Sequence, residues 1–201
     1  MKKLILLLMV CPFMVFPQTL EELDFIAPIN EGFIAVMKGG SWGFINNEGK
    51  IVIDFRNDLV TTEMDGYKYP VFKNGLCLIS KESDGITYFG YIDKRGKTVI
   101  EPQFLNATNF FKNKAIALHV LKEELGKNDV LGKNVIRYKY FEAVIDIDGN
   151  IEHYLNPKGI NVVLDKKKLL IPPKVTSKQI TNNIYAVYTD NMNWRIEVIK
   201  N

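Results

Sequence analysis

The stretch WGFINNEGKIVIDF, beginning at Trp42, returns 47 positions later as FGYIDKRGKTVIEPQF, beginning at Phe89. No other feature of the chain constrains its fold so tightly. A unit this short cannot bury its own apolar face, whereas stacked copies share a core in which equivalent positions want equivalent residues. A third copy, FEAVIDIDGNIEHY, places Ala143 and Gly149 in the columns of Gly43 and Gly49. Upstream of each copy runs a second shared stretch: NEGFIAVMK from Asn30, KNGLCLISK from Lys73 and KNKAIALHV from Lys112. A fourth, TNNIYAVYT from Thr181, precedes WRIEVIKN at the C-terminus. Aligned on these, Gly32, Gly75, Lys114 and Asn183 share a column, and Ile34, Cys77, Ile116 and Tyr185 share another.

Each stretch reads as a strand, being β-branched, aromatic or small and bounded by turn residues. The expected fold is all-β: repeated antiparallel three-stranded meanders, arranged as a propeller or as an open stacked array. The second turn has constant length in NNEGK, DKRGK and DIDGN, which fixes register and keeps the same side chains facing inward. Gly43 and Gly90, mid-strand beside Trp42 and Phe89, are expected to mark a bulge or close backbone approach, with the aromatics covering the gap.

These residues resemble the WG repeat family, whose copies run roughly W-G-[FY]-I-[DN]-x-x-G-K-x-[VI]-I-x-P-x-[FY]. The second copy, through IEPQF, matches best. Glu142 and Ala143 replace the W-G pair in the third, and Arg195 follows Trp194 in the fourth. The resemblance implies a repeated β-structure common among secreted and envelope proteins, and no catalytic residue.

At the N-terminus MKK precedes an unbroken apolar run from Leu4 to Phe16. That run is too short to span a membrane as a helix and has the length of a secretory signal's apolar region. Residues 1–18 are therefore expected to be a signal peptide, with lipidation at Cys11 as the alternative. Residues 19–201 read as one β domain. Its copies fall at about 30–55, 73–104 and 112–154, a degenerate one at 181–201, and inserts at 119–140 and 156–180. Localisation follows as exported, to the periplasm or the cell surface. Without Lys2 and Lys3 the formal charge falls from +3 to +1, leaving no net field to attract nucleic acid. No transmembrane segment is expected in the mature chain. Cys77, the one cysteine beyond the signal, is expected in the core because its column is apolar.

Differences between copies point to function, since loops inserted on a repeat scaffold often carry binding. The insert at 119–140 reads as a lengthened hairpin. Its second strand alternates, with Val135, Arg137, Lys139 and Phe141 on one side and Ile136, Tyr138, Tyr140 and Glu142 on the other. Arg137, Tyr138, Lys139 and Tyr140 form one candidate binding surface. Lys166, Lys167 and Lys168, between the expected strands NVVL and KLLIPP, form a second.

No cofactor is expected. The DIDGN loop at Asp146 lacks the ligand spacing of a calcium loop and fits a turn. His119 and His153 have no partner at zinc-ligand spacing. The expected function is a non-catalytic binding or scaffolding module for a protein or envelope polymer. The alternative is a secreted hydrolase acting on glycan or peptidoglycan, using carboxylates such as Asp93, Glu101 and Asp146.

Overall fold

The computed structural model describes residues 20–128, 132–189 and 191–200. The signal-peptide reading of residues 1–18 and the lipidation alternative at Cys11 fall outside them.

The described chain is all β, without a helix. It forms four antiparallel sheets in chain order. The first contains β1 (Phe25–Ile26), β2 (Ile34–Lys38), β3 (Ser41–Ile45) and β4 (Ile51–Arg56). A small hairpin, β5 (Thr62–Met64) and β6 (Tyr67–Tyr69), interrupts the connection to the second sheet. That sheet contains β7 (Phe72–Lys73), β8 (Leu76–Ser83), β9 (Ile86–Asp93) and β10 (Thr98–Phe104). The third contains β11 (Ala115–Asn128), β12 (Lys133–Ile145) and β13 (Ile151–Tyr154), with β14 (Ile160–Val162) added to β12. The fourth contains β15 (Lys178–Gln179), β16 (Ile184–Tyr188) and β17 (Trp194–Val198).

The expected three-stranded meander gains a preceding edge segment in every copy. Phe25 and Ile26 pair with Met37 and Val36. Leu59 bridges Ile79, Ala107 bridges Ala117, and Lys178 and Gln179 pair with Ala186 and Tyr185.

Strand pairing also corrects the alignment of the third copy. Val36 faces Gly43 and Ile79 faces Gly90, so the first two copies align as expected. Ala143, the counterpart of these glycines, faces Ala117. The column therefore reads Val36, Ile79, Ala117, Val187, and Cys77 shares its position with Ala115 rather than Ile116. The backbone agrees, because positive φ occurs at Glu31–Gly32, Asn74–Gly75 and Lys112–Asn113. Asn113, not Lys114, replaces glycine, as asparagine tolerates the left-handed region better than most residues. A one-residue slip would turn every side chain to the wrong face.

With that register the packing is periodic. Each sheet has a rear face toward its predecessor and a forward face toward its successor. Ala35, Phe44 and Ile53, forward on the first sheet, cluster with Cys77, Ile79 and Ile92, rear on the second. Leu78, Tyr91 and Ile100 continue forward to Ala115, Ala117 and Ile145. Ile116 and Val144 meet Tyr185 and Val187. Among the described residues no core cluster and no strand pairing joins the fourth sheet to the first. Cys77 is fully buried as expected, and burial pushes its thiol up to about 12.

The close approach expected at the motif glycine is present, but backbone fills the gap. A Cβ on Gly90 would collide with the Ile100 carbonyl oxygen and lie 2.6 Å from the Pro102 nitrogen. A register shift in β10 between Ile100 and Phe104 bends the IEPQF segment across that glycine. Phe89 packs on the opposite, forward face with Tyr91. The constant turn behaves alike in all copies. Asn46, Asp93 and Asp146 each accept backbone N–H bonds from residues two and four positions on. This is the turn role expected for DIDGN.

Candidate binding surface

The region from residue 119 onward departs from the repeat. β11 and β12 pair without a break in chain contact from Ala115↔Ile145 to Asn128↔Lys133, with one bulge between Glu124 and Gly126. The insert is thus the long hairpin its alternation predicted, projecting beyond the meander. Pairing puts His119, Leu121 and Glu123 on the side of Phe141, Lys139 and Arg137, and Leu118, Val120 and Lys122 on the side of Glu142, Tyr140 and Tyr138.

This separation splits the first expected surface. Arg137 donates to Glu123 through Nε at 2.9 Å, and Lys139 approaches the same carboxylate at 3.5 Å. Both cations hold the Glu123 carboxyl below its ordinary range, the Arg137 hydrogen bond most strongly. On the other side Tyr140 packs half-buried with Val120, Val162, Leu164 and Leu169 against Ile86, Leu105 and Leu118. Burial, then the nearby Glu142, raises its phenol. Tyr138 lies opposite Val162 of β14. The tyrosines belong to the covered side of the hairpin and the cations to the other.

The covering element is a strap over residues 156–177. Of its two expected strands only NVVL contributes one, as β14; KLLIPP forms none. Asp165 organises a turn instead, accepting the Lys167 N–H on its side chain and the Lys168 and Leu169 N–H groups on its carbonyl. Pro172 and Pro173 have no N–H to give a ladder. Lys166 lays its stem over Gly85 at the tip of the β8–β9 hairpin, while Lys167 and Lys168 sit exposed on the turn. The lysine cluster is therefore a solvated turn on the strap, on the opposite side of β12 from Arg137 and Lys139. The two expected basic groups do not form one site.

Sequence reasoning missed the strap's anchor. Glu142 stands in the column of Trp42 and Phe89, yet it is buried at 5% exposure. Its carboxylate accepts from the Thr176 N–H at 2.5 Å, the Thr176 hydroxyl at 2.8 Å, the Ser177 N–H at 3.1 Å and the Ser177 hydroxyl. The loss of the W-G pair in the third copy was the visible signal.

A cleft of about 220 Å³ opens where the strap leaves β13, between Leu155, Pro157 and Lys158 on one side and Val187, Tyr188 and Arg195 on the other. Arg195 replaces the motif glycine in the fourth copy and spans the seam. It donates to the Leu155 carbonyl at 2.8 Å and to Glu197 at 2.6 Å, and Glu197 also meets His153. Lys158 and Tyr188 are exposed at the mouth. Nearby, His119 lies 3.1 Å from the Tyr154 hydroxyl, and burial lowers its basicity. The cleft thus offers a cation at its mouth and a mixed wall, in which Leu155, Pro157 and Val187 stand beside Asn156, Thr189 and Asn191.

Among the described residues no group of three or more His, Cys, Asp or Glu side chains is placed to hold a metal ion, and no helix is long and apolar enough to cross a membrane. A family model described as WG containing repeat matches residues 22–42, 42–77 and 89–118. Among curated proteins and solved structures, none matches the chain.

Proposed function

We propose, from the premise that residues 22–77 and 89–118 match the WG containing repeat, that the chain is an exported, non-catalytic binding module. Its ligand-facing part is the cleft between the strap and the fourth sheet, with the long hairpin beside it. The observation that carries this reading is where the departures from the repeat collect. The projecting part of the long hairpin, the strap and the cleft lie after residue 118, beyond the family match, and the one departure described before it, the β5–β6 hairpin, is short. Before it the chain repeats a packing unit with short turns, which serves as scaffold.

The cleft's chemistry suits a carboxylate-bearing segment of an envelope polymer or protein, drawn by Lys158 and seated against the Leu155 and Pro157 wall beside Asn156 and Thr189. Of the carboxylates weighed for hydrolysis, Asp93 and Asp146 are held in turns and Glu101 is exposed on β10; elsewhere Glu142 is engaged by the strap and Glu197 by Arg195 and His153. That supports binding over hydrolysis.

The test is co-sedimentation of the protein with isolated peptidoglycan and with acidic envelope polysaccharide. Lys158→Glu, at an exposed residue outside the forward face of the fourth sheet, should abolish retention while leaving the thermal transition unchanged. Retention that survives this change moves the site to the hairpin. There the stretch 123–137 is replaced by a Gly-Gly turn, which spares Val120 and Tyr140. Release of soluble sugars by the unaltered protein would establish the hydrolase instead. N-terminal sequencing of the exported protein should begin near Gln18 or Thr19.

A further inference from the structure

We propose that copies of this chain associate head to tail, the forward face of the fourth sheet of one packing on the rear face of the first sheet of the next. The inference concerns the ends of the row and does not depend on what the cleft binds.

In the fourth sheet Ile184 pairs with Val198, Ala186 with Ile196 and Tyr188 with Trp194. Tyr185 and Val187 point to the third sheet, so these six side chains share the forward face, and all are apolar or aromatic. Trp194 is 51% exposed and Ile196 is 62% exposed. Their counterparts are interior: Trp42 and Phe44 pack into the junction of the first two sheets, Phe89 and Tyr91 into the next. The fourth sheet thus presents the columns that the first two copies use to bind their successors.

The first sheet presents the matching half. Ile34, Val36 and Ile45 occupy the columns of Cys77, Ile79 and Ile92, which receive the preceding sheet; Val36 is already fully buried and Ile34 and Ile45 are half-buried, so the open part of this face lies at its two edges. Ile26, opposite Val36, is 63% exposed, and Ile51, opposite Ile45, is exposed as well. Apart from Lys178, which stands opposite Ala186 and lays its ammonium over the Trp194 ring, the forward face of the fourth sheet is that of an inner repeat and not the polar face of a cap.

A polar contact in these junctions repeats in the same direction. Glu31 accepts the Asn74 and Gly75 N–H groups of the second sheet at 2.7 and 2.9 Å, and Asn74 accepts the Asn113 N–H of the third at 3.1 Å. At the third junction Lys112 stands in that column, and Thr181 accepts the Asn183 N–H from within its own sheet. Asn182 occupies the column in the fourth sheet, exposed, with an amide oxygen suited to the Glu31 and Gly32 N–H groups of a following copy. Apolar columns and polar cap both specify the same partner, a second copy in the same orientation. Such a heterologous contact grows until it closes into a ring or continues as a filament.

The test measures molar mass by light scattering on the full chain and on two variants, Ile26→Asp and Ile196→Asp. Both sites are exposed, and unchanged thermal transitions would verify intact folds. The unaltered chain should grow from monomer through dimer to larger species with concentration. Each variant alone should remain monomeric, because every copy then lacks one half of the contact. An equimolar mixture should form dimers and stop there, since only one productive pairing exists. A chain that stays monomeric to millimolar concentration overturns the proposal. So does either variant associating by itself, the mark of like-with-like packing, and so does a mixture that fails to dimerise.

Discussion

Phe89–Gly90 in the second copy and Glu142–Ala143 in the third hold the same two columns and solve different problems. In the second, Phe89 fills the junction with the third sheet, and Gly90 makes room for the bulged backbone of Ile100 to Pro102. In the third, a strap lies on the forward side, and Glu142 ties it down through Thr176 and Ser177. Tyr154 stands directly opposite Ala143, and the register shift lies one step further on, between Val144 and Ile145, so a Cβ fits. The motif pair therefore reports what a copy must pack against. A glycine is required where the strand behind it bulges, and an aromatic where another sheet follows.

Exchanging residues between the two copies gives the largest expected effect. Phe89→Glu would strand a carboxylate in an apolar junction with none of the donors that Glu142 has. It should cost about 5 kcal/mol or more, read as loss of the cooperative thermal transition. Glu142→Ala should cost about 3 kcal/mol by leaving the Thr176 and Ser177 N–H groups unpaired. Hydrogen exchange should then accelerate at 160–177 while the first two sheets keep their protection. Exchange that rises equally in all sheets would show that the strap is not a separate unit.

The glycine column sharpens the comparison with a graded series. Gly90→Ala meets rigid backbone and should cost about 2–3 kcal/mol. Gly43→Ala, whose nearest neighbour is the Ile53 carbonyl oxygen at 3.0 Å, should cost about 1 kcal/mol. Ala143→Gly should cost less than about 1 kcal/mol, through backbone freedom alone. Equal effects at the three sites, measured by denaturant midpoint, would dissolve the distinction between copies.

Cys77 and Ala115 share a column, and both are fully buried. Cys77→Ser should destabilise by about 1–2 kcal/mol, and the native thiol should resist alkylation until the protein unfolds. Prompt labelling of native protein would remove Cys77 from the core.

The smallest effect is on pH. At Asp93 and Asp146 burial raises the carboxyl pKa, but turn N–H bonds outweigh it and the net value is lowered. His119 is lowered by burial as well. In each case the unfolded chain binds the proton more readily. Stability is therefore complete above the ordinary histidine range and declines as pH falls through about 6.5 and then below about 4. A thermal midpoint that rises on acidification would contradict these assignments.

Much of the architecture was legible because repetition exposes it. The constant NNEGK, DKRGK and DIDGN turns located hairpins whose first residue bonds its own downstream backbone. Gly43 and Gly90 announced a close approach. The edge segments at 24–27 and 58–60 escaped notice because so few residues display no alternation. The third copy was misread by one position because the shared Lys-Asn pair suggested an alignment that the left-handed Asn113 contradicts. At the candidate site, alternation along β12 separated Arg137 and Lys139 from Tyr138 and Tyr140, but not what covers each side. Glu142 looked like decay of a motif because its partners lie more than thirty residues downstream. Contacts at that distance leave no local periodicity.

Each sheet is made of one span of chain, and apart from β14, which returns past β13 to β12, every strand lies beside a neighbour in sequence. The topology therefore has little need to close long loops before pairing begins. All-β folds are usually slow because distant strands must meet first. Here each meander forms from residues already beside one another, and its core completes when the next arrives. A polypeptide emerging from its N-terminal end would settle one sheet at a time, each finished surface serving as template for the next.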